Sequence, residues 1–395
     1  MSKDSLFPQL TFIPKVRDTK FCLFEGKIEA IIIDANSLEA SPSILECAPA
    51  KAELIIIDPV THLLEFPESS GKPNYNKLPY SGVDASKIFP DPSYRLDQFI
   101  KPVVSYQNEN NSSVIIAPYL CAEDNSSLNF NNNLTLASET IKNVASEKIN
   151  KPIFVVVSID TRVLSSRASI NYVVDRYQDD FSKNIQGYII LIDNFDDRKA
   201  SEQELLGLAF LSFQLSKKKD VLVKHIGSFG DVLCVLGASG YIAGLAESEK
   251  FSTSNFNNGN GIKRPRKHSE WTFVPEFFSH LNIAELEKIK YTCECPACKK
   301  IEGESESAVK KLHFLYCKNH ALAELSSIPK EKRIDFLIAK LTKAKTNIYK
   351  LIASGSKLDA TPIERWISVL NAAKNWDFDE DDSLLKGILN DLKDD

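Results

Sequence analysis

The sequence predicts an α/β protein built on a (β/α)8 TIM-type barrel, and three observations carry that reading. Runs of branched apolar residues recur along roughly the first 250 positions, each ending abruptly in a polar or acidic residue. The runs are continuous rather than alternating, the pattern of strands buried on both faces in a parallel sheet covered by helices. Helical stretches fall between several of them, and seven or so such units over about 250 residues match a barrel in size, whereas a doubly wound sheet usually needs fewer strands; both stay open and the barrel leads.

Six runs are clear in order along the chain. IEAIIIDAN ends at Asp34, AELIIIDPVTH at Asp58, SVIIAPYL leads to Asp124, PIFVVVSID ends at Asp160, GYIILIDNFDD at Asp193 and DVLVKHIG at His225. The Gly-rich GASGYIAGLAE, near Glu247, is a seventh and weaker strand. Between them LTLASETIKNVASE and ASEQELLGLAFLSFQLSKKK carry apolar residues at spacings of three and four, and Lys collects at the end of the second, as amphipathic helices require. The segments PESSGKPNYNKLPYSGVDASKIFPDPS and CAEDNSSLNFNNNLT read as loops at a barrel rim. No GxGxxG follows the first run and no GxxxxGK[ST] occurs, so a dinucleotide or P-loop site lacks its phosphate-cradling signature.

The stretch STSNFNNGNGIKRPRKHS marks a boundary after the barrel, and beyond Tyr291 the pattern changes to a Cys-rich turn followed by helices. AVKKLHFLYCKNHALAELSSI, KEKRIDFLIAKLTKAKTNIYKLIASG and PIERWISVLNAAKNW are amphipathic, and the tail from Asp377 is acidic. The expected organisation is a barrel over 1–270, a metal-binding subdomain over 271–330 and a helical segment with acidic tail over 331–395.

Composition sets limits on partners. The 395 residues are 43% hydrophobic and 26% charged with a formal charge of −5, ordinary globular usage that excludes a fibrous or wholly disordered chain. No whole-protein positive field exists, so a nucleic-acid site must be a local patch. The run Lys263, Arg264, Arg266 and Lys267 is the candidate phosphate-binding patch. Trp271 and Phe273 just beyond it are candidates for stacking or packing, and Tyr75, Tyr80 and Tyr94 for the border of a base pocket or, as the leading reading, ordinary loop packing. The amino terminus lacks an apolar signal core and no stretch approaches a membrane span, so the expectation is a cytoplasmic protein with no membrane partner.

Eight cysteines are too sparse for a disulfide scaffold, but Cys293, Cys295 and Cys298 form C-x-C-x2-C. A turn of this kind brings three thiolates to one zinc ion, and a fourth ligand should follow. His313, Cys317 and His320 share one face of the next helix, and any of them can close the tetrahedron. Four protein ligands make such a site structural, because a catalytic zinc keeps one position for water.

This Cys group, followed by a helix-borne histidine and preceded by strand–helix units, resembles the zinc subdomain of tRNA-guanine transglycosylases. His313 to Tyr316, HFLY, is similar to the family's HNL or HNLY-like helix, which favours His313 as fourth ligand. It comes 15 residues after Cys298, a shorter gap than the family's, whereas His320 comes 22 residues after and is second choice. Upstream, GYIILID resembles the GGL-type strand, and VLVKHIGSFGDVLCVLGASGYIAGLAE resembles the strand, D-I-V helix and nucleophile strand, so the likeness spans about 150–325. It implies exchange of guanine for 7-deazaguanine in nucleic acid, either tRNA or DNA, and a homodimer built by the zinc subdomain. The family's attacking Asp, in a setting such as FDCVMPTR, has no counterpart in YIAGLAESEK, where Glu247 or Glu249 stands instead. A binding barrel without catalysis is the alternative reading.

Base exchange needs a carboxylate to attack the sugar and a second group for the proton of the departing base. In a barrel both must lie at the carboxyl ends of strands, which nominates Asp34, Asp58, Asp124, Asp160, Asp193, His225 and Glu247. Asp58, with His62 four residues on, and Asp160, with Arg162 nearby, rank first, and Glu247 occupies the expected nucleophile position.

Overall fold

Eight parallel strands form one sheet in the order β3-β2-β1-β8-β7-β6-β5-β4, so the first and eighth are neighbours and the sheet is a nearly closed barrel. The strands are β1 Thr11–Val16, β2 Ile28–Asp34, β3 Ala52–Asp58, β4 Ile115–Ile116, β5 Ile153–Asp160, β6 Gly187–Asp193, β7 Asp220–Lys224 and β8 Gly240–Gly244. This computed structural model describes residues 5–83, 96–181, 183–245, 250–257, 271–300, 305–374 and 376. The seam lies between β3 and β4, where no strand ladder forms. Serines bridge it instead: the Ser113 hydroxyl accepts from Ile55 N at 2.9 Å, the Ser112 hydroxyl accepts from Ile57 N at 3.0 Å, and Ser113 N donates to Ile55 O.

Strand β1 is the one the apolar runs do not announce. Its sequence TFIPKV is broken by Pro14 and Lys15, yet it pairs with β2 on one side and β8 on the other. Lys15 is tolerated because it is the last inward position of the strand, as the site shows below.

The period of two along the strands divides the core. Ile13, Ile32, Ile56, Ile116, Val156, Leu191, Leu222 and Ile242 form an apolar cluster inside the barrel. Their outward neighbours, among them Phe12, Ile33, Ile57, Val157, Ile190, Val223 and Tyr241, belong to the larger cluster beneath the helices. Both faces of every long strand are therefore apolar, which is why the runs read as continuous.

The covering helices are α1 Ile44–Lys51, α2 Leu96–Glu109, α3 Leu128–Ser146, α4 Arg167–Phe181, α5 Glu202–Ser216 and α6 Phe229–Val235. A capping box starts α5, with Ser201 and Glu204 satisfying each other's backbone amides. The Asn-rich segment expected as a loop is helical from Leu128, started by the Ser127 cap. Its asparagines work at the helix start: the Asn133 amide accepts from Leu120 N and donates to Leu120 O, satisfying the backbone of the incoming loop. Tyr75 and Tyr80 are fully buried, with the Tyr80 hydroxyl on Pro59 O, so they pack the core instead of bordering a pocket, and Tyr94 lies outside the described residues. One disulfide, Cys22–Cys47, joins the turn after β1 to α1 and departs from the expectation of reduced cysteines.

After the barrel come a hairpin, β9 Trp271–Val274 and β10 Ser279–Asn282, and three long helices, α7 Glu306–Ser327, α8 Arg333–Ala353 and α9 Thr361–Ala373. They dock by specific polar contacts as well as apolar ones. Lys318 of α7, 1% exposed, places its ammonium on the Ser228 hydroxyl and the Asp231 carboxylate of the α6 region, while Tyr241 of β8 donates to the other Asp231 oxygen. Arg365 of α9 binds the carbonyls of Arg198 and Ala200, and the Trp366 indole donates to Asp197 O. Among the described residues no helix is long and apolar enough to cross a membrane.

Candidate site at the barrel mouth and candidate metal centre

Continuing the inward period past the apolar layer reaches the carboxyl ends of the strands. Ile13 leads to Lys15, Ile32 to Asp34, Ile56 to Asp58, Leu191 to Asp193, Leu222 to Lys224 and Ile242 to Gly244. The top layer of the barrel is thus a ring of charges above an apolar plug.

Asp34 and Asp58 are register partners on β2 and β3. Lys15 reaches Asp34 Oδ2 at 2.7 Å, and Lys224 ion-pairs with Asp58 while lying 3.8 Å from Asp34 Oδ1. Burial acts to raise the Asp34 carboxyl, but Lys15 and Lys224 outweigh it and hold the group well below the usual carboxylate range. Beyond that ammonium, Asp34 Oδ1 has no hydrogen-bond partner among the described residues.

Asp58 is saturated by contrast. It accepts from Val60 N at 2.7 Å, from the Tyr119 hydroxyl at 3.1 Å and from Lys224, and is 1% exposed. Val60 is held at φ 47°, a left-handed conformation that costs a β-branched residue of order 1–3 kcal/mol. The Asp58 contact fixes this turn, which delivers Thr61 to the backbone of Tyr119 and His62 onto the Tyr119 ring. Burial, aided by Lys224, pushes His62 down to about 3, and burial first, then Lys15 and Lys224, pushes His225 well below its ordinary value, so both imidazoles are neutral at pH 7.

Asp160 ends β5 but caps the turn that follows it, accepting from Arg162 N and Nε at 3.0 and 2.7 Å. Asp193 accepts from the backbone and hydroxyl of Thr253, and Asn194 accepts from Ser252 and donates to Phe251 O. These bonds pin residues 251–256 over the β6 side of the mouth, where Phe251 packs against both His62 and His225. Asp124 sits in an exposed turn, held by Ser126. Glu247, Glu249 and the run Lys263, Arg264, Arg266 and Lys267 lie outside the described residues.

What remains open is a cavity of about 1040 Å³ on the β1, β2, β7 and β8 side, roofed by the hairpin and the start of α7. Eight of its lining residues are Lys or Arg and two are Asp. Asp34, His62, Lys15, Lys224 and His225 line its barrel side, whereas neither Asp58 nor Asp160 reaches it. From the other side come Trp271, Phe273, His280, Lys310 and Lys311. Trp271 is 46% exposed and Phe273 only 4%, so of the two aromatics Phe273 packs and Trp271 does not. Lys15 and Lys224 were not legible as site residues from apolar runs alone, although the inward period of two, carried one step further, places both.

The second site lies behind that wall. The ligand atoms of Cys293, Cys295, Cys298 and His313 all fall within 4.8 Å of one another, a cluster that could hold a metal ion. The three sulfurs stand 3.3, 3.5 and 3.6 Å from His313 Nδ1. A tetrahedral ion with bonds of about 2.3 Å to sulfur and about 2.0 Å to nitrogen requires about 3.5 Å between S and N. His313 is buried and its Nε2 lies 2.7 Å from Phe273 O, which takes the ring's other proton and leaves Nδ1 for the ion. Cys317 is one helical turn further, 3.8 Å from Nδ1, and His320 is exposed, so the structure selects His313 among the three helix candidates.

Fold and sites together define a TIM-like barrel protein with a cationic mouth and an appended Cys3His cluster. The chain matches no family model and no curated protein.

Proposed function

We propose that this protein binds nucleic acid at the barrel mouth and exchanges or recognises a guanine or 7-deazaguanine there, in the manner of tRNA-guanine transglycosylases. The observation that carries the reading is the cavity itself, in which a formal excess of six positive charges surrounds one ionised carboxylate at strand ends. The cations suit phosphates, and a carboxylate kept ionised at the floor suits attack on a sugar carbon. Asp34 is the group for that attack, since it lines the cavity with an oxygen that no described residue hydrogen-bonds. Asp58 then acts through Lys224, which it orients.

The Cys3His cluster is proposed to hold zinc. Its donor set of three thiolates and one imidazole is what zinc prefers, and the protein fills all four positions, so the ion stabilises the fold and takes no part in chemistry.

Incubation with tRNA, DNA and labelled guanine tests the reading. Incorporation that requires Asp34 supports base exchange. Tight binding without incorporation supports the second reading, a non-catalytic binding barrel, which is favoured by the saturation of Asp58 and the capping role of Asp160. Absence of both binding and incorporation overturns the proposal.

A further inference from the structure

We infer that Trp271 is a stacking platform for a single nucleic-acid strand, holding a base next to the one delivered to the barrel mouth; this rests on the nucleic-acid reading above. The chain has three tryptophans, and two behave as core residues, Trp366 at 1% and Trp376 at 2% exposure. Trp271 is 46% exposed on the cavity wall. Among the described residues the buried apolar side chains of the hairpin include Phe273, Val274 and Leu281, and Trp271 is not one of them.

The surroundings say what the indole faces. Arg17, Lys310 and Lys311 line the same cavity, and lysine exposure falls from rim to floor, from 35% for the Lys311 side chain and 20% for Lys310 to 7% for Lys15 and 2% for Lys224. Cations interleaved with an open aromatic face are the elements of single-strand binding, where each phosphate meets a charge and each base has a face to stack. A duplex needs only the cations. It also cannot present a base to Asp34, which is 8% exposed at the floor, because a base must leave its stack to reach a recessed group. A single strand bending over the rim satisfies both demands.

The test uses the full chain and short oligonucleotides of one sequence as single-stranded RNA, single-stranded DNA and DNA duplex. Because the other two tryptophans are buried, stacking on Trp271 is read directly as quenching of the exposed component of tryptophan emission. The expected result is quenching by a single strand and not by duplex, with the preferred sugar showing whether RNA or DNA is the source. Trp271→Ala should weaken single-strand binding about tenfold or more with no change in salt slope, since no phosphate contact is lost, and Trp271→Phe should restore most of the affinity. Single strands that bind without quenching, a Trp271→Ala variant within about twofold of wild type, or a duplex that competes equally would each overturn the inference while leaving the nucleic-acid reading intact. A wild-type protein that binds no oligonucleotide overturns both.

Discussion

Lys224 ends β7 and Asp58 ends β3, four strands away around the barrel, and their side chains meet across its mouth as a pair with 2% and 1% of their side chains exposed. The pair ties opposite walls together and leaves Lys224 within reach of Asp34.

Replacing Lys224 by Met should therefore do more than remove one contact. It strands Asp58 and half of the charge around Asp34 in a buried layer, and breaking one partner of such a pair costs about 3–5 kcal/mol. Urea unfolding of Lys224→Met and of the double variant Lys224→Met, Asp58→Leu checks this. The double variant should recover much of the loss, and a single variant as stable as wild type would mean the pair is not buried as described.

Metal analysis should find one ion per chain. Cys293→Ser and His313→Ala should each lower metal affinity by at least about tenfold, whereas His320→Ala should leave it unchanged, because His320 points to solvent and makes no ligand contact. Cobalt substitution offers the sharper reading, since a tetrahedral site with three sulfurs has intense thiolate charge-transfer bands. Chelation should loosen the hairpin and α7 first, because binding energy there is folding energy. Equal loss of metal in the His320 variant would shift the assignment to the exposed face.

A half-buried carboxyl makes stability depend on pH. Burial raises Glu65 to about 7 against the hydrogen bonds from Cys121 N and Asn129 that favour its charge. Its folded pKa exceeds its unfolded one, so its contribution is complete below about 4.5 and is lost as pH rises through about 7. His62 has the opposite sign: it is neutral in the fold down to about 3, so acidification below about 6.5 protonates the unfolded chain first and destabilises the fold. Comparing wild type with Glu65→Gln cancels the histidine effect. The stability difference, wild type minus variant, should fall between pH 5 and 8, and a flat difference would show that Glu65 ionises normally.

If base exchange occurs, Asp34→Asn should reduce it by about a hundredfold or more while leaving oligonucleotide binding nearly intact. Asp160→Asn should cost far less, since its carboxylate caps a turn away from the cavity. An Asp160 variant as inactive as the Asp34 variant would move the chemistry to the β5 side.

Lys310 and Lys311 together provide a salt-dependence test. Each phosphate contact on a single strand contributes about 0.7 to the slope of log affinity against log salt, so the double alanine variant should flatten it by up to about 1.4. An unchanged slope would place the phosphates elsewhere, the basic run at 263–267 being the next candidate.

The barrel was legible because continuous apolar runs have one main explanation, burial on both faces, and the six clear runs correspond to β2 through β7. The first strand escaped because Pro14 and Lys15 interrupt its pattern, and the Asn-rich start of α3 escaped because asparagine's usual loop preference is overridden by the backbone groups of Leu120 that Asn133 must satisfy. The Cys3His cluster that could hold a metal ion was legible in part: C-x-C-x2-C spacing is a local constraint, whereas the residues alone left His313, Cys317 and His320 open and only the family resemblance favoured His313. The mouth was legible only as a set of strand-end acids. Which acid faces the cavity depends on the pinned segment at 251–256, which leaves no local signal, and on lysines from distant strands, which only the inward period of two places.

The cavity has one wall from the barrel and another from the hairpin and α7, and Phe273 lines the cavity while its carbonyl meets His313 of the cluster that could hold a metal ion. Thermodynamic linkage makes that arrangement reciprocal: whatever factor the ion adds to the affinity of an occupant, the occupant adds to the retention of the ion. If the cluster holds an ion, occupancy of the mouth should shift the ion's affinity by that same factor, so that a metal titration reports ligand binding even for a ligand that undergoes no reaction.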